Sequence, residues 1–206
     1  MKASSLRSIV FTALFGALFI ALSAVKFELG FSAVPITLQN LAVMLAGAFL
    51  GARLGFSSIM IVLLLTATGL PLLHGQGGLS YMTGPTGGFI AAFPFNAFFV
   101  GLFVVKLMNS RLASNRTAMI VGLFLVFEVF GSLLSYVSGV PWLMHSVNYS
   151  FHQAMIKGCY PYLAGDALKA VVATGLTMSL YPFIAARHAK QSTAYTSATH
   201  KTGMSH

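Results

Sequence analysis

Two charged side chains, Asp166 and Lys169, stand three residues apart in an otherwise apolar stretch, Tyr160-Pro161-Tyr162-Leu163-Ala164-Gly165-Asp166-Ala167-Leu168-Lys169. On a helix that spacing puts both on one face. A carboxylate accepts hydrogen bonds and an ammonium donates them. Together they suit a neutral ligand that presents both N–H and C=O, such as a urea or an amide. A second reading is purely structural. With a helix predicted to begin just after Pro161, an Asp near its start stabilises the free N–H groups and the dipole. Lys169 would then pair with it or extend to the membrane interface.

Other candidates are fewer than the length would allow. Glu128 lies about halfway along an apolar run, where a lipid-facing carboxylate is costly. It should face the protein interior or be protonated, as a proton-relay residue or as the partner of a base. Gly75 to Gly88 holds six glycines and Pro85 in 14 residues. Glycine lets backbone approach a ligand closely, and irregular backbone at membrane depth is tolerated when it lines a cavity. The stretch reads either as a pocket cover or as an ordinary connection rich in turn residues. Pro35-Ile36-Thr37-Leu38-Gln39-Asn40 leads into another apolar run. Gln39 and Asn40 could line a pocket there, or Thr37 could cap the helix and Gln39 bond a neighbouring helix. The six histidines show no metal-ligand spacing, and the G-x-x-x-x-G-K-[ST] and G-x-S-x-G patterns are absent. A lone Cys159 excludes an intrachain disulfide and gives no metal site. The expectation is a protein that is not an enzyme and holds no cofactor.

The elements that must carry these residues follow from composition. Of 206 residues, 57% are hydrophobic and 7% are charged, far below the roughly 25% charged residues of soluble domains. Residues 54–105 contain no Asp, Glu, Lys or Arg, and neither do 8–25, 29–52, 129–156 and 170–186. These runs predict an all-α polytopic membrane protein, a bundle of six transmembrane helices near 8–26, 36–52, 54–71, 89–108, 117–138 and 164–187. The run after Lys2 and Arg7 is read as a retained first helix, not a cleaved signal. Residues 1–190 form the transmembrane domain in this reading, and 191–206 a flexible, polar cytoplasmic tail.

The net charge of +9 comes from bases scattered singly between apolar runs, which argues against nucleic acid and for topology signals. With six spans, nine bases fall on one side and Lys26, Lys157 and Lys169 on the other. The positive-inside rule then places both termini in the cytoplasm and the connections 27–35, 72–88 and 139–163 outside. Outer loops rich in Gly, Pro and aromatics point to capture of a solute from outside. On the first helix, Ala13 and Ala17 are four apart, a spacing that permits close helix approach.

An ordered set of motifs carries a resemblance: Val34-Pro-Ile-Thr-Leu-Gln-Asn40, Leu45-Ala-Gly-Ala-Phe-Leu-Gly-Ala-Arg-Leu-Gly55, Gly69-Leu-Pro71, Gly84-Pro-Thr-Gly-Gly88, Gly139-Val-Pro-Trp142 and Gly165-Asp-Ala-Leu-Lys169. Over about residues 8–187 the chain resembles the BioY family, the biotin-binding S-components of energy-coupling factor (ECF) transporters. The resemblance implies a six-helix protein of the cytoplasmic membrane that binds biotin from outside. It implies that Asp166 and Lys169 hold the ureido ring and that the loop with Gly84, Thr86 and Gly87 covers the ligand. Tyr81 is a candidate wall for the bicyclic ring, with Gln39 nearby. Ala13 and Ala17 map to the contact with a transmembrane coupling subunit, which works with two cytoplasmic ATPases. The sequence departs from the family pattern at Asn40, where Thr is more usual, and at Ala164, where Pro is common; Glu128 belongs to no family motif. The alternatives are a solitary or proton-linked biotin carrier and an S-component for another vitamin.

Overall fold

The computed structural model describes residues 3–188; the expected tail at 191–206 lies outside them. Helices dominate. Helix α1 (Ala3–Ser23) leads to a short antiparallel ribbon of β1 (Lys26–Phe27) and β2 (Ile36–Thr37), with Lys26 opposite Thr37 and Phe27 opposite Ile36. Helices α2 (Gln39–Leu50), α3 (Ala52–Ala67), the one-turn α4 (Leu79–Met82) and α5 (Gly87–Met108) follow. A 3-10 turn at Arg111–Ser114 precedes one continuous helical rod, made of α6 (Arg116–Val126), a π-helical stretch (Phe127–Leu133) and α7 (Leu134–Val147). Helices α8 (Phe151–Gly158) and α9 (Tyr160–Ser179) complete the bundle, and a bend of 75° separates this last pair from a terminal helical segment, Tyr181–His188.

The six apolar segments expected from the sequence are present in order. Among the described residues, Leu6–Ser23, Gly87–Met108 and Arg116–Val147 are each long and apolar enough to cross a bilayer, and the bent C-terminal pair can count as a fourth span. Helices α2 and α3 are shorter, at 12 and 16 residues. A 12-residue helix is about 18 Å long, short of the ~30 Å hydrocarbon core. Its neighbours shield α2 instead: residues 42–50 are all buried. The break between α2 and α3 falls at Gly51, whose φ of 78° suits glycine. The Gly51–Ala52 backbone packs so closely on Gly101 of α5 that a side chain there would overlap it. Helix α5 is the hub, packed on α2, α3 and α7.

Two boundaries differ from the sequence reading, and both change where loops lie. The fifth helix was expected to stop at 138, before Gly139-Val-Pro-Trp142. The rod instead runs through Pro141 to Val147 and ends at Asn148, which takes a left-handed turn with φ 54°. Proline is tolerated within apolar helices because neighbouring groups satisfy the freed backbone. The last helix begins at Tyr160, not 164, with Pro161 in its first turn. The expected outer loop 139–163 is therefore mostly helix. Asp166 is the seventh residue of α9, beyond the first turn, so the helix-start role does not apply to it.

Candidate functional site

Two helices and the rod deliver polar side chains to one point. Helix α9 carries Asp166 and Lys169, which are only 4% and 9% exposed, and their charges meet at 3.0 Å. Ribbon β1–β2 leads straight into α2, so Asn40 arrives in its first turn. The Asn40 amide nitrogen donates to Asp166 Oδ1 at 2.7 Å, and its carbonyl oxygen accepts from Lys169 Nζ at 2.9 Å. The rod brings Tyr136, whose hydroxyl donates to Asp166 Oδ2 at 2.6 Å, and Ser132, which accepts from Asn40 at 3.3 Å. Burying this pair is costly unless each charge is hydrogen-bonded, and here both are.

The capacity of these groups is not exhausted. A carboxylate has about four acceptor positions, and Asp166 fills three, from Asn40, Lys169 and Tyr136. An ammonium has three donors, about one more than Lys169 uses on Asn40 and Asp166. Beside them the buried Gln39 Nε2 has no partner among the described residues. One spare acceptor flanked by spare donors is complementary to a small group presenting N–H and C=O.

These residues line an inner cavity of about 70 Å³, walled by Phe89, Ile90 and Phe93 of α5, with Tyr81, Thr86 and His74 at its mouth. A second cavity of about 440 Å³ adjoins it, lined by Lys26, Glu28, Ser80 and Gly84 among others. The two share Pro35, His74, Tyr81 and Thr86, which form a neck. The inner cavity alone is far below the ~300–1,000 Å³ of ligand pockets, whereas the two in series fall within that range.

The glycine-rich stretch divides in two. Its second half is docked on α7: Trp142 Nε1 donates to the Gly84 carbonyl at 2.8 Å, and Ser138 Oγ donates to the Gly88 carbonyl at 2.8 Å. A side chain on Gly87 would come within 2.9 Å of the Trp142 indole nitrogen, so Gly87 is under Trp142, not on either cavity wall. Gly84 lines the outer cavity, and Thr86 and Tyr81 line both. Burial pushes the Tyr81 hydroxyl up to about 12, opposed by a hydrogen bond with Thr86, so it remains a neutral donor. The ring of Tyr81 meets His74 edge-on at 6.2 Å. The connection between α1 and α2 is also tied down. Ser32 donates to the Lys157 carbonyl at 2.6 Å, and the Tyr162 hydroxyl, 2.9 Å from the Ser32 oxygen, donates to the Val34 carbonyl.

Of the residues singled out in the sequence, Asp166, Lys169, Gln39, Asn40, Tyr81 and Thr86 share the inner cavity. Ala13 and Ala17 sit on the exposed face of α1, beside Val10 and Leu14. Glu128 is in the π-helical stretch, one turn before Ser132 and off the cavity wall; its Oε2 is buried with no partner among the described residues. Sequence reasoning passed over Tyr136 and Ser132; Asn40, a candidate pocket residue and also a departure from the family pattern, lines the cavity. The signal was available: Ser132, Ser135 and Tyr136 recur at helical spacing on an otherwise apolar rod, as a buried polar stripe does.

The sequence profile of the BioY family matches residues 1–186. The biotin transporter BioY of Rhizobium etli is 39% identical over 188 residues, covering 89% of this chain and 99% of the relative. The probable biotin transporter BioY of Pyrococcus horikoshii is 38% identical, covering 76% and 88% respectively. Among solved structures, the S-component for biotin from an ECF-type ABC transporter superposes with a TM-score of 0.80 at 29% identity, covering 88% of this chain and 94% of that one. By family profile, by relatives of nearly full length and by fold, this chain belongs to the BioY family.

Proposed function

We propose that this protein binds biotin and carries it across the cytoplasmic membrane as the substrate-specific component of an ECF-type transporter. The observation that carries the reading is the buried Asn40–Asp166–Lys169–Tyr136 cluster with one acceptor and one donor to spare. The ureido ring of biotin offers two N–H groups and one carbonyl. An N–H fits the remaining acceptor position of Asp166, and the carbonyl fits the remaining proton of Lys169. Phe89, Ile90 and Phe93 supply apolar surface for the fused rings, and Tyr81 and Thr86 close over them. Gln39 adds a donor at the same wall.

Residues 1–190 act in this proposal as one transmembrane binding domain, with 191–206 as a polar tail. The nine-to-three division of bases between the two sets of connections along the sequence supports cytoplasmic termini. The outward placement of Ala13 and Ala17 supports α1 as the face for a coupling subunit that works with two ATPases. Equilibrium binding of labelled biotin to the purified protein tests the proposal, with Asp166→Asn and Lys169→Ala alongside. Saturable binding by the wild type and loss in both variants are expected; no binding by the wild type overturns the biotin reading. Co-purification with ATPase subunits separates coupled from solitary operation.

A second reading, proton-linked carriage, draws on the buried Oε2 of Glu128, which has no hydrogen-bond partner among the described residues. It requires Glu128→Gln to abolish transport while binding persists, and full transport by that variant removes it.

A further inference from the structure

We propose that the outer cavity is an anion subsite in which Lys26, joined at the neck by His74, holds the carboxylate of a ligand whose neutral head fills the inner cavity. The inference rests on the biotin reading, since biotin pairs a neutral ureido head with a chain ending in a carboxylate.

Size is the first argument. An inner cavity of about 70 Å³ that already contains the polar cluster has no room for a long tail. Past the shared neck of Pro35, His74, Tyr81 and Thr86 lies the outer cavity of about 440 Å³. Charge is the second. Asp166 and Lys169 compensate each other inside, so the inner cavity offers an anion no net attraction. The outer wall carries Lys26 and Glu28, but this pair is exposed where the inner one is buried, so Lys26 can change partner.

Lys26 is well placed to serve. Its backbone pairs with Thr37, two residues before Gln39 and three before Asn40, so one ribbon positions both ends of the pocket. Its present partner is Glu28 at 2.8 Å, whose side chain is 75% exposed. Exposed ion pairs of this kind are worth little, so a ligand carboxylate can take over the ammonium while Glu28 turns to water.

His74 adds a conditional donor. Its Nδ1 lies 2.5 Å from the Ser23 carbonyl, an acceptor only, so Nδ1 carries the proton. Nε2 then bears a lone pair in the neutral ring and becomes a donor on protonation. The groups facing the ring are Lys26 of β1, Tyr81 of α4, Ser23 of α1 and Glu28 across the outer cavity. Burial, with Lys26 adding to it and the Ser23 hydrogen bond opposing, holds the ring below its ordinary pKa. At neutral pH Lys26 therefore acts alone, and His74 joins as pH falls.

The test compares biotin with biotin amide, which keeps the head and removes the charge, on the purified full chain. The wild type is expected to prefer biotin by about two- to fivefold, the range of a partly exposed charge contact. The ratio should fall to about one in Lys26→Ala and below one in Lys26→Glu. It should rise as pH is lowered from about 8 to about 6, and stay flat in His74→Gln. Equal affinity of the wild type for the two ligands, or a wild-type ratio in Lys26→Glu, overturns the subsite and leaves the head clamp standing. Binding of neither ligand overturns the subsite and the biotin reading together.

Discussion

Asn40 and Asp166 are 126 residues apart in sequence and are joined by a hydrogen bond of 2.7 Å. The same Asn40 side chain turns its other face to Lys169, so one amide holds carboxylate and ammonium in fixed relation. Asn40→Ala leaves a buried donor and a buried acceptor each one partner short, at roughly 1–3 kcal/mol apiece. Biotin binding measured by isothermal titration should weaken about ten- to hundredfold. Binding at the wild-type level would mean that the amide is not part of the clamp.

Tyr136 occupies the other oxygen of Asp166. Tyr136→Phe removes that donor and should weaken binding about tenfold through the carboxylate, a loss within the 1–3 kcal/mol of an unsatisfied buried group. In an Asp166→Asn background the same change should cost much less, because partners in one network couple. Equal losses in both backgrounds, read by the same titration, would separate Tyr136 from Asp166.

Gly88 and Gly165 predict opposite outcomes for one substitution. A Cβ on Gly88 would fall 2.6 Å from the Ser138 carbonyl and overlap Trp142, whereas a Cβ on Gly165 meets nothing within 4 Å. Gly88→Ala should destabilise by about 1–3 kcal/mol through overpacking. Gly165→Ala should be neutral or stabilise by up to about 1 kcal/mol from helix propensity. Thermal unfolding in detergent distinguishes them, and equal midpoints would contradict the packing of α5 on α7.

His74 predicts how stability depends on pH. Burial lowers its folded-state pKa below the unfolded value, so the unfolded chain binds more protons between the two. Stability from this group therefore rises with pH through that window. It is complete above the unfolded value of about 6.5 and is lost as pH falls toward the folded one. Unfolding midpoints of the wild type and His74→Gln, compared from about pH 8 to about pH 5, should diverge at the acid end, with the variant losing less. Parallel profiles would exclude the effect.

Fold class and candidate chemistry were unequally legible in the sequence. Uncharged runs such as 54–105 announce helices in lipid because each charge left in hydrocarbon is expensive. That one constraint yields the helix count and order. It does not yield ends: Pro141 and Pro161 read as loop residues, yet Pro141 lies inside α7 and Pro161 in the first turn of α9, where its missing N–H costs no helix hydrogen bond. Nor does it yield partners. The i, i+3 spacing of Asp166 and Lys169 is visible because it is local.

By itself, then, the sequence determined an apolar helical bundle, the Asp166–Lys169 pair and a glycine-rich connection. Only the tertiary structure decided that Asn40 and Tyr136 complete the clamp, that Trp142 anchors Gly84, and that the cavity opens past His74 toward Lys26. The reason is physical. Solvent preference and helical periodicity act along the chain and can be read residue by residue. Hydrogen bonds across 30 to 126 residues depend on how helices cross, which is set by side-chain packing at α5.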